Sequence, residues 1–191
     1  MKPLSYYIPL IAAAVVYVIR MVEIKTKRET IPGEIREHLT FTLFLLIGTS
    51  MTIGSVGEYI TRGGGFSWAA LGAGIACAAA SFRLRWRAIA ALGKFWSLHI
   101  EIREGHQFVD FGPFRIVRHP TYVSMVLELL SFGLICNAWT MLCIIPFAFI
   151  PVLILRLRLE ENAMIEKFGS TYRDYQRRVP MLIPNRWSFA K

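Results

Sequence analysis

The chain has 191 residues, of which 54% are hydrophobic and only 18% are Asp, Glu, Lys or Arg, against about 25% charged residues in an average soluble domain. This composition excludes a disordered or fibrous chain. The net charge is +9 and the mean hydropathy is +0.44, and the apolar residues stand in long uninterrupted runs. A lipid bilayer is therefore the expected surrounding of much of the chain.

Four segments contain no charged side chain at all, namely residues 3–19, 39–57, 63–82 and 129–155. A helix of about 20 residues is long enough to cross roughly 30 Å of hydrocarbon. Each of the four segments therefore predicts at least one membrane span.

The fourth segment is too long for one span once the apolar residues before it are included. Its middle contains Asn137, which favours a turn, and Trp139, which favours the membrane interface. We therefore divide it into two spans, near 121–136 and 139–156. The predicted fold class is an all-α integral membrane protein with five transmembrane helices.

Basic residues are concentrated in three segments, residues 21–38, 83–118 and 156–191. Because short loops rich in Lys and Arg stay in the cytosol, the N-terminus is predicted outside and the C-terminus in the cytosol. The positive charge then reflects topology and attraction to membrane lipid rather than nucleic-acid binding, for which no motif is present. Such a multi-pass protein would lie in the plasma membrane of a prokaryote or in the endoplasmic reticulum of a eukaryote.

These predictions describe one membrane domain over residues 1–191. Its parts are the first three spans (1–82), a cytosolic segment (83–120), a helical hairpin (121–156), and a cytosolic C-terminal helix and cap (157–191). Within the last part, Gly169 is expected to end a helix. Residues 171–178 then predict a short amphipathic helix, and residues 179–184 predict an extended cap with hydrophobic side chains.

Arg118, His119 and Pro120 stand where the fourth span begins. Proline is tolerated at a helix start. The free backbone N–H groups there, the positive end of the helix dipole and Arg118 suit an anionic ligand group. The alternative is an ordinary interfacial helix start that binds no ligand.

Three charged residues follow the fifth span on nearly one helical face. Arg156 and Glu160 are four positions apart, and Glu161 lies beside them. They could form a functional site or simply an ion-paired helix exit whose long side chains reach toward water. Glu128 also has two interpretations. A carboxylate inside a span either has a functional role or forms a hydrogen bond with a neighbouring helix.

Several familiar site chemistries are absent from the sequence. No Walker A, HExxH or GxSxG motif is present. The four histidines show no metal-ligand spacing, so we predict no metal site. The three cysteines fall inside predicted spans and fit neither a zinc nor a redox motif.

The cytosolic segments resemble the isoprenylcysteine carboxyl methyltransferase family over about residues 90–185. The resemblance rests on the motifs of the two segments, taken in chain order: Gly112-Pro113-Phe114, Arg118-His119-Pro120-Thr121-Tyr122, Arg156 with Glu160-Glu161, Phe168-Gly169, Tyr172, Tyr175, Val179-Pro180 and Ile183-Pro184. The Arg-His-Pro-x-Tyr motif is shared with other membrane methyltransferases, and the combination with the later motifs is more specific.

This resemblance implies methylation, by S-adenosylmethionine, of the carboxylate of a prenylated cysteine, on a protein C-terminus or on a small prenylcysteine. It further implies a cytosolic cofactor pocket formed by the loop before the fourth span and the C-terminal segment. The residues implied to bind the cofactor are His99, His106, Gln107, Phe108, Val109, Phe114, His119, Pro120, Thr121, Tyr122 and Glu160. Arg156 is implied to bind the substrate carboxylate and to serve catalysis.

Other functions remain open at the level of sequence. A membrane methyltransferase for a phospholipid amine or a thiol would share the cofactor motif but would need no arginine for a carboxylate. A membrane sterol reductase that uses NADPH can look similar in its C-terminal part. A small membrane scaffold would bind neither cofactor.

Overall fold

The computed structural model describes residues 2–26, 34–35, 39–95, 101–102 and 109–184. Helices dominate these residues and confirm the predicted helical class. Their bounds are Leu4–Lys25 (α1), Leu39–Thr61 (α2), Trp68–Leu92 (α3), Pro120–Ile135 (α4), Trp139–Ile144 (α5), Ile150–Phe168 (α6) and Ser170–Arg178 (α7). Two short strands, Glu34–Ile35 (β1) and Glu101–Ile102 (β2), pair antiparallel, with Glu34 opposite Ile102.

The helices coincide with the predicted spans, but they differ in length and polarity. Among the described residues, three helical stretches are long and apolar enough to cross a membrane: Leu4–Lys25, Thr42–Thr61 and Trp139–Phe168. Pro120–Ile135 is a shorter apolar helix. In α3, Arg83, Arg85 and Arg87 lie in the C-terminal half of the helix. The count of five spans and the orientation of the termini stay predictions.

The predicted break in the fourth apolar segment is confirmed. Asn137 has a positive φ of 50°, and its side-chain amide donates to the Gly65 carbonyl at 3.2 Å. The carboxylate of Glu58 accepts the backbone N–H groups of Thr140 and Met141, each at 3.1 Å, and thereby caps the start of α5. After α5, a π-helical turn at Ile145–Phe149 contains a proline, which supplies no N–H to the helix ladder.

The chain divides into two compact units. The first comprises Met1–Lys27, Phe44–Ser81 and Met125–Pro151, and the second comprises Arg28–Leu43, Phe82–Ser124 and Val152–Lys191. The single-domain organisation stays a prediction.

The first unit shows what Glu128 does in the fold. The Glu128 carboxylate on α4 lies 3.6 Å from Nε of Arg20 on α1, and Arg20 also pairs with Glu23 at 3.1 Å. A carboxylate in an apolar span is costly unless it is paired. The structure therefore supports the bond between neighbouring helices as the role of Glu128.

A close approach of α3 and α4 also belongs to the first unit. A Cβ atom placed on Gly74 would lie 2.7 Å from Cγ1 of Ile135, 2.8 Å from its backbone nitrogen, and 3.0 Å from the carbonyl oxygen of Ser131. Two of these three atoms belong to the backbone, so a side-chain rotation cannot relieve the contact. A Cβ atom on Gly72, two positions earlier, would meet nothing within 4 Å.

We predict that Gly74→Ala forces α3 and α4 apart and destabilises the protein by about 1–3 kcal/mol. Gly72→Ala is the matched control, because alanine is favoured over glycine in an open helix position by roughly 0.5–1 kcal/mol. Thermal unfolding in detergent, followed by circular dichroism, measures both variants. Equal midpoints for the two variants would contradict the helix contact at Gly74.

Candidate functional site

The loop before α4 belongs to the second unit and contains a tight turn. Gly112 has a positive φ of 60°, a left-handed conformation that glycine adopts without strain. It begins a 3-10 turn, Gly112–Arg115, in which the side chain of Phe114 is buried. The hydroxyl of Tyr175 on α7 donates to the Phe114 carbonyl at 2.6 Å, which ties the turn to the C-terminal helix.

Helix α7 packs its apolar face inward, as its amphipathic pattern predicts. Gly169, with a φ of 58°, separates it from α6. The buried residues Tyr172, Tyr175 and Val179 form a cluster with side chains of α6 and its C-terminal end. Burial raises the pKa of the Tyr175 phenol far above its usual range, so the hydroxyl keeps the proton that it donates to Phe114.

The extended segment after α7 lies along the start of α4. The N–H of Arg118 donates to the Pro180 carbonyl at 2.9 Å, and the N–H of His119 donates to the Met181 carbonyl at 3.2 Å. The Arg118 guanidinium donates to the carbonyl oxygens of Gln176, at 3.0 Å, and of Val179. This cation therefore caps the C-terminal end of α7.

The predicted anionic ligand at this helix start is therefore wrong for Arg118 and for these two N–H groups. The chain itself supplies their acceptors, as carbonyl oxygens and as the carboxylate of Glu161. The prediction failed because the extended cap could not be placed from the sequence.

Glu161 is the centre of the polar cluster. One carboxylate oxygen accepts Nε of Arg118 at 2.6 Å and lies 3.0 Å from Nε2 of His119. The other oxygen accepts the side-chain amide of Gln176 at 2.9 Å. A buried carboxylate is costly unless it is paired and hydrogen-bonded. These three partners meet that requirement and join the start of α4 to α6 and α7.

A second chain of hydrogen bonds runs through Tyr122. Nε of Arg156 donates to the Tyr122 hydroxyl at 2.9 Å, and this hydroxyl donates to the carboxylate of Glu160 at 2.8 Å. Arg156 is only 2% exposed, and its Nη1 lies 3.5 Å from the hydroxyl of Thr40. The guanidinium is thus held in one orientation, with Nε facing Tyr122.

His119 lies between the carboxylates of Glu160 and Glu161 and links the two groups of hydrogen bonds. Its Nε2 lies 3.0 Å from a carboxylate oxygen of Glu161, so a proton on that nitrogen completes a hydrogen bond. Nδ1 then faces Glu160, whose nearer oxygen lies 3.8 Å away. The Glu160 side chain is 33% exposed, whereas the His119 side chain is 5% exposed, so Glu160 is the more accessible of the two.

Comparisons with known proteins concern the same part of the chain. A model of the isoprenylcysteine carboxyl methyltransferase family matches residues 73–166, which include both His119 and the Arg156–Glu161 stretch. Over this range, just under half of its length, the chain is similar to that family, as the sequence analysis predicted.

Three known proteins are similar to parts of this chain. An uncharacterized protein, YpbQ, of Bacillus subtilis is 31% identical over 49% of this chain and 56% of its own length. The nickel-cobalt-cadmium resistance protein NccN of Alcaligenes xylosoxydans is 29% identical over 50% of this chain and 45% of its own length. Methanethiol S-methyltransferase 2 of Bradyrhizobium diazoefficiens is 37% identical over 37% of this chain and 26% of its own length. The chain spans about half, or less, of these relatives.

The family match covers most residues of the polar cluster. The structure brings together four residues that the sequence analysis assigned to a site: His119, Tyr122, Arg156 and Glu160. Pro120 is buried at the first position of α4, and the carbonyl of Thr121 accepts the hydroxyl of Ser124. The roles of these residues toward ligands stay predictions.

The remaining assigned residues lie in the loop before α4. Phe114 is buried in the 3-10 turn, and Val109 is partly buried just ahead of it. His99, His106, Gln107 and Phe108 lie outside the described residues. The pocket predicted from this loop and the C-terminal segment stays a prediction.

The sequence analysis missed three members of the cluster. The sequence analysis noted Glu161 beside Glu160 but assigned it no separate role. Only the structure shows that Glu161 is buried next to Arg118 and therefore needs hydrogen-bond partners. Gln176 carried no signal beyond its place in the amphipathic helix. Thr40 could not have been found, because it is 116 positions from Arg156 and stands in an otherwise apolar stretch.

We predict that Glu161→Ala destabilises the protein by about 3–5 kcal/mol, because it leaves the Arg118 guanidinium buried without its carboxylate. Glu166→Ala, an exposed acid on the same helix, is the control and should change stability by less than about 0.5 kcal/mol. Thermal unfolding and protease cleavage within residues 169–184 measure the effect. If both variants behave alike, Glu161 does not hold the C-terminal segment.

Proposed function

We propose that the protein is a membrane methyltransferase that uses S-adenosylmethionine to methylate the carboxylate of a lipophilic, prenylated cysteine. The observation that carries the proposal is the orientation of Arg156 by Tyr122, within a cluster that also holds His119 and Glu160. The family match supports methyl transfer as the chemistry.

The donor set at the accessible edge of the cluster fits the proposed cofactor. An oxygen of Glu160 is an acceptor, and Nδ1 of His119, 3.8 Å away, is a second acceptor in the tautomer that carries its proton on Nε2. A primary ammonium has three donors and suits two such acceptors, and the methionine part of the cofactor carries an ammonium. His119, Tyr122 and Glu160 would hold this part, and the cofactor would supply an electrophilic methyl group on a sulfonium.

The residues of the chain then have to position a carboxylate rather than activate it. A C-terminal carboxylate has an unperturbed pKa near 3.3–3.7 and is ionised at neutral pH, so no general base is required. Nε of Arg156 binds Tyr122 and its Nη1 lies near Thr40, so the chain itself fixes the plane in which the guanidinium would meet a substrate carboxylate. Holding the two reacting atoms about 3–3.5 Å apart and in line can lower the activation barrier of methyl transfer by several kcal/mol.

The extended segment after α7 would contribute by excluding water. Its carbonyl oxygens at Pro180 and Met181 bind the backbone just ahead of α4, next to His119. Removing water from a site strengthens its electrostatic interactions and strips the hydration of an anionic nucleophile.

A specific observation favours one alternative, methylation of a thiol. The methanethiol S-methyltransferase relative is 37% identical over 71 residues. A thiol has an unperturbed pKa near 8.5 and must lose its proton before it attacks. A thiol methyltransferase would therefore use Glu160 or His119 as a base, and Arg156 would have no carboxylate to bind.

We predict that Arg156→Lys lowers methyl transfer to N-acetyl-farnesylcysteine about 100-fold, because an ammonium cannot reproduce the fixed planar fork of a guanidinium. Binding of S-adenosylhomocysteine should change less than about threefold. Arg158→Lys, at an exposed position on the same helix, is the control. Full activity of Arg156→Lys would contradict the role of Arg156 toward the carboxylate.

The substrate class is tested by supplying a labelled methyl donor with N-acetyl-farnesylcysteine, a phospholipid amine or a small thiol. We expect the prenylcysteine to be methylated at a rate that is nearly constant between about pH 6 and 8, because its carboxylate is ionised throughout. Preference for the thiol, with a rate that rises toward pH 8.5, would establish the alternative. Binding of NADPH without S-adenosylhomocysteine would overturn methyl transfer altogether.

A further inference from the structure

The last turns of α3 present an exposed face that the proposed chemistry does not use. Arg83, Trp86 and Arg87 are all exposed, and their spacing of three and four positions places them on one side of the helix. We name these three residues the α3 basic face. On the opposite side, Ala88 and Ile89 are buried.

Neither arginine has a counter-charge among the described residues. In the part of the chain that the structure describes, no acidic side chain lies within ion-pair distance of Arg83 or Arg87. Two other exposed arginines do have such a partner: Arg62 pairs with Glu58, and Arg177 pairs with Asp174. Like charges four positions apart destabilise a helix unless an anion lies near them.

The exposed tryptophans of α3 indicate what surrounds the face. Trp86 is 70% exposed, and Trp68, at the first position of the same helix, is 69% exposed. Eighteen residues of α-helix rise about 27 Å, close to the roughly 30 Å thickness of the hydrocarbon core. Because tryptophan is enriched at both membrane interfaces, this spacing fits the predicted third span, and Arg83 and Arg87 would then lie near the depth of the lipid headgroups.

We propose that the α3 basic face is a binding site for the phosphate of an anionic phospholipid in the surrounding bilayer. The two guanidinium groups bind phosphate oxygens through paired hydrogen bonds. Trp86 packs between them against the glycerol and upper acyl region. A soluble phosphate would satisfy the arginines but would leave Trp86 exposed to water, which favours the lipid as the occupant.

The site is adjacent to the loop that leads into the polar cluster. A Cβ atom on Gly112 would lie 3.9 Å from Cβ of Ala91, one turn beyond Arg87 on α3. Anchoring the α3 basic face to headgroups therefore fixes the membrane depth of the turn that carries Phe114. The inference rests on the membrane character of the chain and not on the methyl acceptor.

Native mass spectrometry of the full chain, purified in detergent and titrated with phosphatidylglycerol or phosphatidylcholine, tests the proposal. The test variant is Arg83→Gln/Arg87→Gln. The matched control is Arg173→Gln/Arg177→Gln on α7, which removes the same charge at the same spacing from exposed positions. Each basic residue near an anionic surface strengthens attraction roughly fivefold, so the test variant should bind phosphatidylglycerol about 25-fold more weakly.

We expect the wild type and the control to bind phosphatidylglycerol alike and more tightly than phosphatidylcholine. Unchanged binding by the test variant, or equal loss in the control, would overturn the site. Displacement of the lipid by millimolar inorganic phosphate would show a site for a soluble anion and overturn the lipid assignment. Retained binding of S-adenosylhomocysteine by the test variant shows that it is folded; if that binding is lost, Arg83→Lys/Arg87→Lys must restore lipid binding, or the proposal fails.

Discussion

The buried carboxylate of Glu161 is the group on which the described polar cluster depends. It accepts hydrogen bonds from Arg118 and Gln176 and contacts His119, and so it joins the start of α4 to α6 and α7. A carboxylate away from water is stable only when such partners surround it. Because Arg118 also binds carbonyl oxygens at the end of α7, the same ion pair holds the C-terminal segment beside the cluster.

This arrangement suits a reaction in which the protein acts mainly by holding the reactants in the correct orientation. His119 is oriented by Glu161, and Arg156 is oriented by Tyr122, so neither side chain has to be ordered by a ligand. Preorganised groups of this kind lower the cost of aligning two reactants. The proposed methyl transfer to an ionised carboxylate would require such alignment and the exclusion of water. It would require no proton transfer at the nucleophile.

The interface between lipid and cytosol imposes the second constraint. In the proposed function, the prenyl tail would partition into the bilayer and the charged cofactor would be soluble in the cytosol, so the reacting atoms would have to meet where the two phases join. Paired charges such as Arg20 with Glu128 are compatible with apolar spans. Cations such as Arg83 and Arg87, which have no acidic partner among the described residues, are stable where anionic headgroups are available.

The sequence by itself determined the helical membrane class, the break at Asn137, the start of α4 at Pro120 and the amphipathic α7 after Gly169. Each depends on local properties, namely uninterrupted hydrophobicity, turn propensity and helical periodicity. Tertiary structure alone decided that Glu161 pairs with Arg118, that Glu128 pairs with Arg20, and that Thr40 approaches Arg156 across 116 positions. Those pairings depend on which faces of distant helices meet, and the spacing of residues along one helix does not specify the face that it meets on another.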